Sequence, residues 1–514
     1  MTDSSTTPRK QTLDKDLDKL VHVEEATSLV ARGLVAPGLG LLFLALAGIF
    51  ASIYVVGEPK AVIIIAAAAI GAYMALNIGA NDVANNVGPA VGSRALSLTG
   101  ALIIAAVFES AGALIAGGDV VGTISKGIVS PEAVSTPAVF IRAMMAALIS
   151  SALWINLATW IGAPVSTTHS VVGGVMGAGI AAAGFSAVDW ATMSQIAASW
   201  VVSPVMGGVV AAIFLAFIKT FIIYQDDKIT AARRWVPLLI AIMAGAFSAY
   251  LATKGLKKIV RIDQITIIMI GVSAFGLTWI LSHFHVRNQS RGMENRNQSL
   301  RKLFKLPLVI SACLLSFAHG ANDVANAVGP LAAIVFTAQA DTVSAEVAIP
   351  IWVMVIGAAG ISFGLILFGP KLIRMVGEQI TKLNPMRAFC VALSASITVI
   401  IASGLGLPVS STHTAVGAIF GVGFFREWYT AKSKRRRRYL ERKGLQVPEE
   451  NIDAATIILG DDEPTSTKMS REEVVRRKLV RRAHVTTIVA AWVTTVPAAA
   501  LLAAVIFLAL NAVS

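Results

Sequence analysis

Long apolar stretches constrain the fold of this chain more than any other feature. Roughly a dozen of them, most near the ~20 residues that a helix needs to cross a bilayer, lie between Val35 and Val513. Lipid offers no hydrogen-bond partners to the backbone, so such segments are stable in a membrane as helices. We therefore predict an all-α polytopic membrane protein with about 12 transmembrane segments. The apolar stretches are 36–56, 61–78, 96–116, 136–161, 165–184, 196–224, 236–253, 263–282, 306–319, 346–369, 385–405, 410–425 and 484–511.

Composition and charge agree with a protein that lies in a lipid bilayer. The chain is 55% hydrophobic and 14% charged, far from the average soluble domain. The net charge of +13 comes from basic residues in loops beside apolar helices, where the positive-inside bias accounts for them, so we expect no nucleic-acid partner. Residues 1–35 are polar and basic, which predicts a cytoplasmic N-terminal tail rather than a cleaved signal peptide.

Two polar motifs each occur twice, in the same order. The segment 78–89 reads IGANDVANNVGP and 319–330 reads HGANDVANAVGP, while PVSTTH at 164–169 returns as PVSSTH at 408–413. Such a pattern indicates an internal duplication. We predict a first repeat at 61–224 and a second at 306–511. An extra helix at 36–56 precedes them, and a linker at 225–305 with two transmembrane helices and a basic loop separates them.

The charges of two corresponding loops predict how the repeats are oriented. The loop at 184–195 contains no Lys or Arg, whereas the loop at 426–483 contains a dense basic run. By the positive-inside rule these loops lie on opposite sides of the membrane, which predicts inverted-topology repeats. If the chain crosses the membrane once with each predicted helix, the basic stretch 254–261 lies on the external side. It either breaks a statistical rule or attracts an anion at the external mouth.

The GANDVAN motif places polar side chains at a depth where they are costly unless they line a cavity. Gly79 and Gly88–Pro89 flank the first copy, and the second copy is flanked in the same way, which predicts broken or re-entrant helices. A carboxylate with amide oxygens suits a hard cation such as sodium. The same groups can equally hold protons or structural hydrogen bonds. In the structural alternative, Asn81 and Asn322 only cap broken helices.

The PVSTTH motif has the pattern of a helix start, with Ser166 or Thr167 near the N-cap. Free N–H groups and the positive end of the helix dipole favour an anion there, and the hydroxyls add donors. The second repeat offers Ser410, Ser411 and Thr412 in the same places. If inverted repeats face each other, the two helix starts converge on one small tetrahedral oxyanion.

Three further polar residues carry weaker signals. For His169 and His413 we favour hydrogen bonding within the bundle over proton relay. Glu109 lies in an apolar segment and is a candidate for proton or sodium coupling. The second repeat has Gly357 near the corresponding position, so coupling through Glu109 would be asymmetric.

Both pairs of motifs, with the FESAGA stretch that begins at Phe108, resemble the inorganic phosphate transporter family (PiT) over 61–511. The resemblance implies a multi-pass secondary transporter of the cell membrane that moves phosphate with sodium ions or protons, without another cofactor, as a homodimer. It implies a set of substrate-binding residues, a set of ion-coupling residues and a sodium site at four of the latter. The substrate-binding residues are Ser166, Thr167, Thr168, Ser410, Ser411, Thr412, Asn85 and Asn326. The ion-coupling residues are Asn81, Asp82, Asn322 and Asp323, with sodium at these four, and Glu109 joins them because it lies in an apolar segment rather than through the resemblance.

Three alternative functions differ in how well they explain the duplication. A membrane hydrolase with Ser166, His169 and Asp82 needs one triad, whereas both halves repeat the same residues, so we expect no enzyme. A sulfate or other oxyanion transporter fits the same scaffold. A channel fits less well, because carboxylate motifs at a broken midplane favour alternating access.

Overall fold

The computed structural model describes residues 34–130, 133–161, 165–256, 260–342, 349–379, 383–442 and 482–513. Within these ranges the regular structure is helical, and eleven helices are long and apolar enough to cross a membrane. The all-α polytopic fold that the sequence predicts is confirmed. The tail at 1–33 and most of the basic loop at 426–483 lie outside the described residues.

The helices follow one another along the chain with short connections. They are α1 Leu34–Val55, α2 Ala61–Asn81, α3 Val83–Gly92, α4 Leu98–Ala116, α5 Gly118–Lys126, α6 Pro137–Ile161, α7 Thr167–Ala183, α8 Trp190–Ile218, α9 Lys228–Leu251, α10 Gln264–Gln289, α11 Asn297–Leu303, α12 Lys305–Asp323, α13 Ala325–Ala340, α14 Ile351–Gln379, α15 Pro385–Gly404, α16 Ser411–Lys432, α17 Lys434–Arg442 and α18 Arg482–Val513. Single π-helical turns, Lys219–Ile223 and Ala252–Leu256, extend α8 and α9.

Both GANDVAN motifs interrupt a helix, although not where the flanking glycines and prolines suggest. The interruptions fall at Asp82, between α2 and α3, and at Val324, between α12 and α13. Pro89 and Pro330 lie inside α3 and α13 instead. Because proline has no N–H, each leaves the carbonyl four residues earlier without its usual helical donor. Each motif therefore has both a local helix break and a carbonyl group that lacks its helical donor.

Glycines allow matching close contacts in the two repeats. A Cβ atom at Gly79 would lie 1.9 Å from the carbonyl oxygen of Ile361, and one at Gly320 would lie 2.1 Å from that of Glu109. Helices α2 and α14 therefore approach to backbone contact, as do α12 and α4. The corresponding position of Glu109 is thus Ile361, one helical turn from the Gly357 that the sequence suggests. Glycines at 357, 360 and 364 make the register of this apolar stretch ambiguous.

The last helix of each predicted repeat packs on the other predicted repeat. Gly173 and Gly177 of α7 meet the backbone of Val496 and Ala500 in α18. On the other side, α16 packs in the same way on α8 through Gly417 and Gly421, which meet Pro204 and Gly208. These small-residue faces allow close helix approach, as the sequence predicts.

Candidate functional site

Two helical hairpins, α6–α7 and α15–α16, have their turns beside the GANDVAN motifs. The side chain of Asn81 lies 2.9 Å from the hydroxyl of Thr159, near the end of α6. The equivalent Asn322 donates to the Ser403 hydroxyl at 2.9 Å and to the Leu407 carbonyl at 3.2 Å. These asparagines therefore hold the hairpin turns against the motifs.

Each PVS motif begins a helix, as the sequence predicts. Ser166 and Ser410 are the N-caps of α7 and α16, and each hydroxyl accepts a hydrogen bond at 3.1 Å from the backbone N–H three residues later. The next residue of each helix contacts a motif carboxylate. Thr167 donates to Asp82 at 2.6 Å, and Ser411 donates to Asp323 at 2.8 Å.

Hydrogen bonds between the repeats join all four motifs at one place. Thr412 of the second repeat donates to Asp82 of the first at 3.0 Å and accepts from Asn85 at 3.0 Å. Asn326 of the second repeat donates at 3.2 Å to the hydroxyls of both Thr167 and Thr168 in the first. The helix starts of α7 and α16 thus converge, and the side chains of this cluster are buried.

His319 is a central residue that the sequence analysis did not single out. Its Nε2 lies 2.8 Å from Asp323 and 4.0 Å from Asp82, and its Nδ1 lies 3.2 Å from Glu109. The first repeat has Ile78 at this position, so His319 falls outside the letters that the repeats share. The sequence feature that indicates His319 is its position directly before the second GANDVAN motif.

The chemistry of this cluster suits a cation. Ligand atoms of Asp82, His319 and Asp323 lie within 4.8 Å of one another. Among the described residues, one carboxylate oxygen each of Asp323 and Glu109 is buried without a hydrogen-bond partner, as are the amide oxygens of Asn86 and Asn326. Buried oxygens without donors are unfavourable unless a cation or proton compensates them. Asn81 and Asn322, which the sequence analysis names as sodium ligands, contact the hairpins through their amides, and their role toward an ion stays a prediction.

The two motif histidines lie one turn into α7 and α16. Their rings face each other with centroids 4.4 Å apart and nearly perpendicular planes, and His169 also contacts the Trp200 ring at 3.9 Å. Both rings are buried. This arrangement joins the two helix starts by direct packing.

Two cavities approach the hairpins. One, of about 410 Å³, is lined by Asp119, Thr123 and the turn between α15 and α16. Beside it, Lys254 pairs with Asp119 at 2.5 Å and donates to the Gly404 carbonyl at 3.3 Å. A second cavity, of about 510 Å³, is lined by Asn156 and Thr159 of α6 and by α1 and α2. The cluster of motifs thus has a cavity near each hairpin.

Apolar helices that carry duplicated polar motifs on interrupted segments, joined at one buried site, have the architecture of a secondary transporter. The chain belongs to the phosphate transporter family, whose model matches residues 78–503. This finding confirms the resemblance drawn from the motifs and places the protein among transporters rather than enzymes.

Relatives and a solved structure agree with this assignment. A Helicobacter pylori protein, provisionally named a phosphate permease, is 46% identical over 96% of this chain and 99% of its own. A Haemophilus influenzae protein with the same provisional name is 37% identical over 70% of this chain and 87% of its own. A solved structure described as the sodium-dependent phosphate transporter has a TM-score of 0.75 and 33% identity, and it covers 88% of this chain and 100% of that chain.

Proposed function

We propose that this protein imports inorganic phosphate across the cell membrane by symport with sodium ions or protons. The observation that supports this most is the network in which Thr167, Ser411 and Thr412 donate to the carboxylates of Asp82 and Asp323. In this proposal the hydroxyls belong to the anion site and the carboxylates to the cation site, so the two sites are in direct contact. The sodium dependence in the description of the similar solved structure favours sodium as the driving ion.

Phosphate binds at the converging starts of α7 and α16. Hydroxyls and free N–H groups of Ser166, Thr167, Thr168, Ser410, Ser411 and Thr412 supply the donors. The amides of Asn85 and Asn326, which already contact these hydroxyls, supply two more. Carboxylate acceptors nearby favour a protonated phosphate over fully ionised sulfate, because only the former has an O–H to donate.

Coupling follows from the charges of the same cluster. Carboxylates beside an anion in a low-dielectric site repel it unless a cation or proton lies between them. A cation held by Asp82 and Asp323 satisfies their oxygens, and the hydroxyls that donate to them then turn to the phosphate. His319, between Asp323 and Glu109, makes protons the second candidate for the driving ion.

The transport cycle alternates access from the two sides of the membrane. The repeats have inverted topology, the N-terminus is cytoplasmic, and each hairpin forms one barrier between the cluster and a bulk phase. Two copies of the chain assemble as a homodimer.

Uptake into proteoliposomes tests the function. Labelled phosphate and labelled sulfate are offered separately, each under an imposed sodium gradient or an imposed proton gradient. We expect phosphate to accumulate with one gradient and sulfate to remain outside. Accumulation of sulfate instead, or of neither anion, would contradict the proposed substrate.

Replacement of both Ser410 and Ser411 by Ala tests the anion site. Each buried group left unsatisfied costs ~1 to 3 kcal/mol, so phosphate affinity should fall at least about tenfold. The matched control is Ser186→Ala, which removes an exposed hydroxyl in the loop before α8. If the folded double variant binds phosphate as the control does, the start of α16 has only a structural role.

A further inference from the structure

A buried lysine at the end of α8 is not explained by the transport site. Lys219 is only 7% exposed, and its ammonium group lies 4.1 Å from the ring centroid of Tyr429 and 5.4 Å from that of Phe425. Across the described part of the chain, no carboxylate lies within 4.0 Å of this ammonium group. The two ring faces attract the ammonium group but carry no net negative charge, so its burial remains unfavourable and an anion beside it would be stabilising.

Other positive charges interact with Lys219. Arg387 near the start of α15, Arg426 near the end of α16 and Arg436 in α17 all act on it electrostatically. Arg387 is in turn repelled by Arg426. We call Lys219, Arg387, Arg426 and Arg436 the basic cluster. Cations from four helices that interact in this way repel one another, and an anion bound among them reduces that repulsion.

The basic cluster also offers a neutral donor. The hydroxyl of Tyr429 is buried and has no hydrogen-bond partner among the described residues. Its ring stacks on that of Tyr224, with centroids 5.7 Å apart, and this fixes where the hydroxyl points. Guanidinium groups, an ammonium group and a hydroxyl together are the donors that recognise phosphate oxygens.

The cluster is separate from the proposed transport site. On α16, Ser411 contacts Asp323 at the first turn, whereas Arg426 lies fifteen residues later, roughly 22 Å along the helix axis. The cluster shares its end of the bundle with the basic helix α17, whose Arg442 pairs with Asp226 at 3.2 Å. The charge pattern predicts that this end faces the cytoplasm. Exposed charges in the loops already account for the positive-inside bias, so the burial of Lys219 needs another explanation.

We propose that the basic cluster is a second binding site, for the phosphate group of an anion at the predicted cytoplasmic end. The group belongs either to free phosphate or to the head group of an anionic phospholipid, and both present the same oxygens. A bound phosphate neutralises Lys219 and joins the end of α8, the start of α15 and the last turns of α16 to α17. The proposal does not depend on which ion drives transport.

Two binding measurements on the purified full-length protein distinguish the sources. The first counts labelled inorganic phosphate bound in phosphatidylcholine nanodiscs, and the second measures retention of phosphatidylglycerol by native mass spectrometry. Lys219→Met keeps the length of the side chain and removes its charge. We expect affinity in one of the two measurements to fall at least about tenfold, because a charge-assisted hydrogen bond is lost. Lys302→Met, which removes an exposed positive charge, is the control and should bind as the wild type does.

The outcome identifies the ligand or overturns the proposal. If Lys219→Met lowers phosphate binding, and this loss adds to the loss caused by the double variant Ser410→Ala with Ser411→Ala, the ligand is free phosphate. Loss of lipid retention alone identifies the phospholipid. Wild-type behaviour of a folded Lys219→Met protein in both measurements overturns the proposal, whatever the serine variants do. If Lys219→Met does not fold, Arg387→Gln takes its place, with the same two losses as support and the same wild-type behaviour as refutation.

Discussion

Replacement of Asp82 by Asn should separate phosphate binding from ion coupling. Asp82 accepts hydrogen bonds from Thr167 at 2.6 Å and from Thr412 at 3.0 Å. Asparagine has nearly the same size and keeps one oxygen acceptor, and the second hydroxyl can turn to another acceptor. We therefore expect a folded protein that has lost one negative charge of the cation site.

The structure sets the expected size of the effect. A unit charge about 4 Å away contributes roughly 4 kcal/mol at an effective dielectric constant near 20. Since each ~1.4 kcal/mol is one decade, affinity for the driving ion should fall by about a thousandfold at the upper limit. His319 keeps its contact with Asp323 at 2.8 Å, so the second carboxylate remains in place.

The assay is phosphate uptake into proteoliposomes as a function of sodium concentration and, separately, of pH. Asp82→Asn should leave weak phosphate binding that no longer responds to the driving ion. Asp263→Asn is the matched control, because it makes the same change at the exposed N-cap of α10. If Asp82→Asn transports phosphate with wild-type ion dependence, the electrostatic argument is wrong and Glu109 becomes the next candidate.

Three further predictions concern topology, packing and pH. Cysteines introduced at Ser186 and Lys434, both exposed, should react with impermeant reagents from opposite faces of the membrane; reaction from one face would exclude inverted repeats. Gly320→Ala should destabilise the protein by ~1 to 3 kcal/mol or more in thermal unfolding, because its Cβ would lie 2.1 Å from a carbonyl oxygen. Gly276→Ala is the control, because its Cβ would meet open space and should cause no such loss. Equal melting temperatures of the two variants would contradict the backbone contact. Hydrogen bonds from Thr230 lower the pKa of Asp227, so Asp227→Ala should lower the free energy of unfolding above about pH 4. The difference in stability between wild type and variant should shrink as the pH falls further. A difference that persists at acid pH would exclude the carboxylate as its cause.

Much of the site could be predicted because its residues occur twice. Polar side chains in apolar helices identified Asp82 and Asp323, and the Pro-Val-Ser pattern identified the N-caps Ser166 and Ser410. Local rules of helix capping and the energetic cost of polar groups in lipid decide both features. They need no knowledge of the packing.

The remaining features depend on which helices meet. His319 lacks a counterpart in the first repeat, so duplication gave no signal for it, and only its contacts with Asp323 and Glu109 show its importance. The correspondence of Glu109 with Ile361 requires the packing of α2 on α14, since several glycines fit the sequence equally well. Lys219 resembles any basic residue at a helix end until its burial is known.

The packing of α18 on α7 and of α8 on α16 has a consequence for biosynthesis. Gly173 in α7 packs against Val496, which the ribosome adds roughly 320 residues later; at about 5 to 20 residues per second this takes tens of seconds. During that interval the glycine face of α7 has no native neighbour and is open to lipid or to a chaperone of the insertion machinery. A chain that stops before α18 leaves this face permanently uncovered. Packing of the first half is therefore completed only by the last helix of the second half.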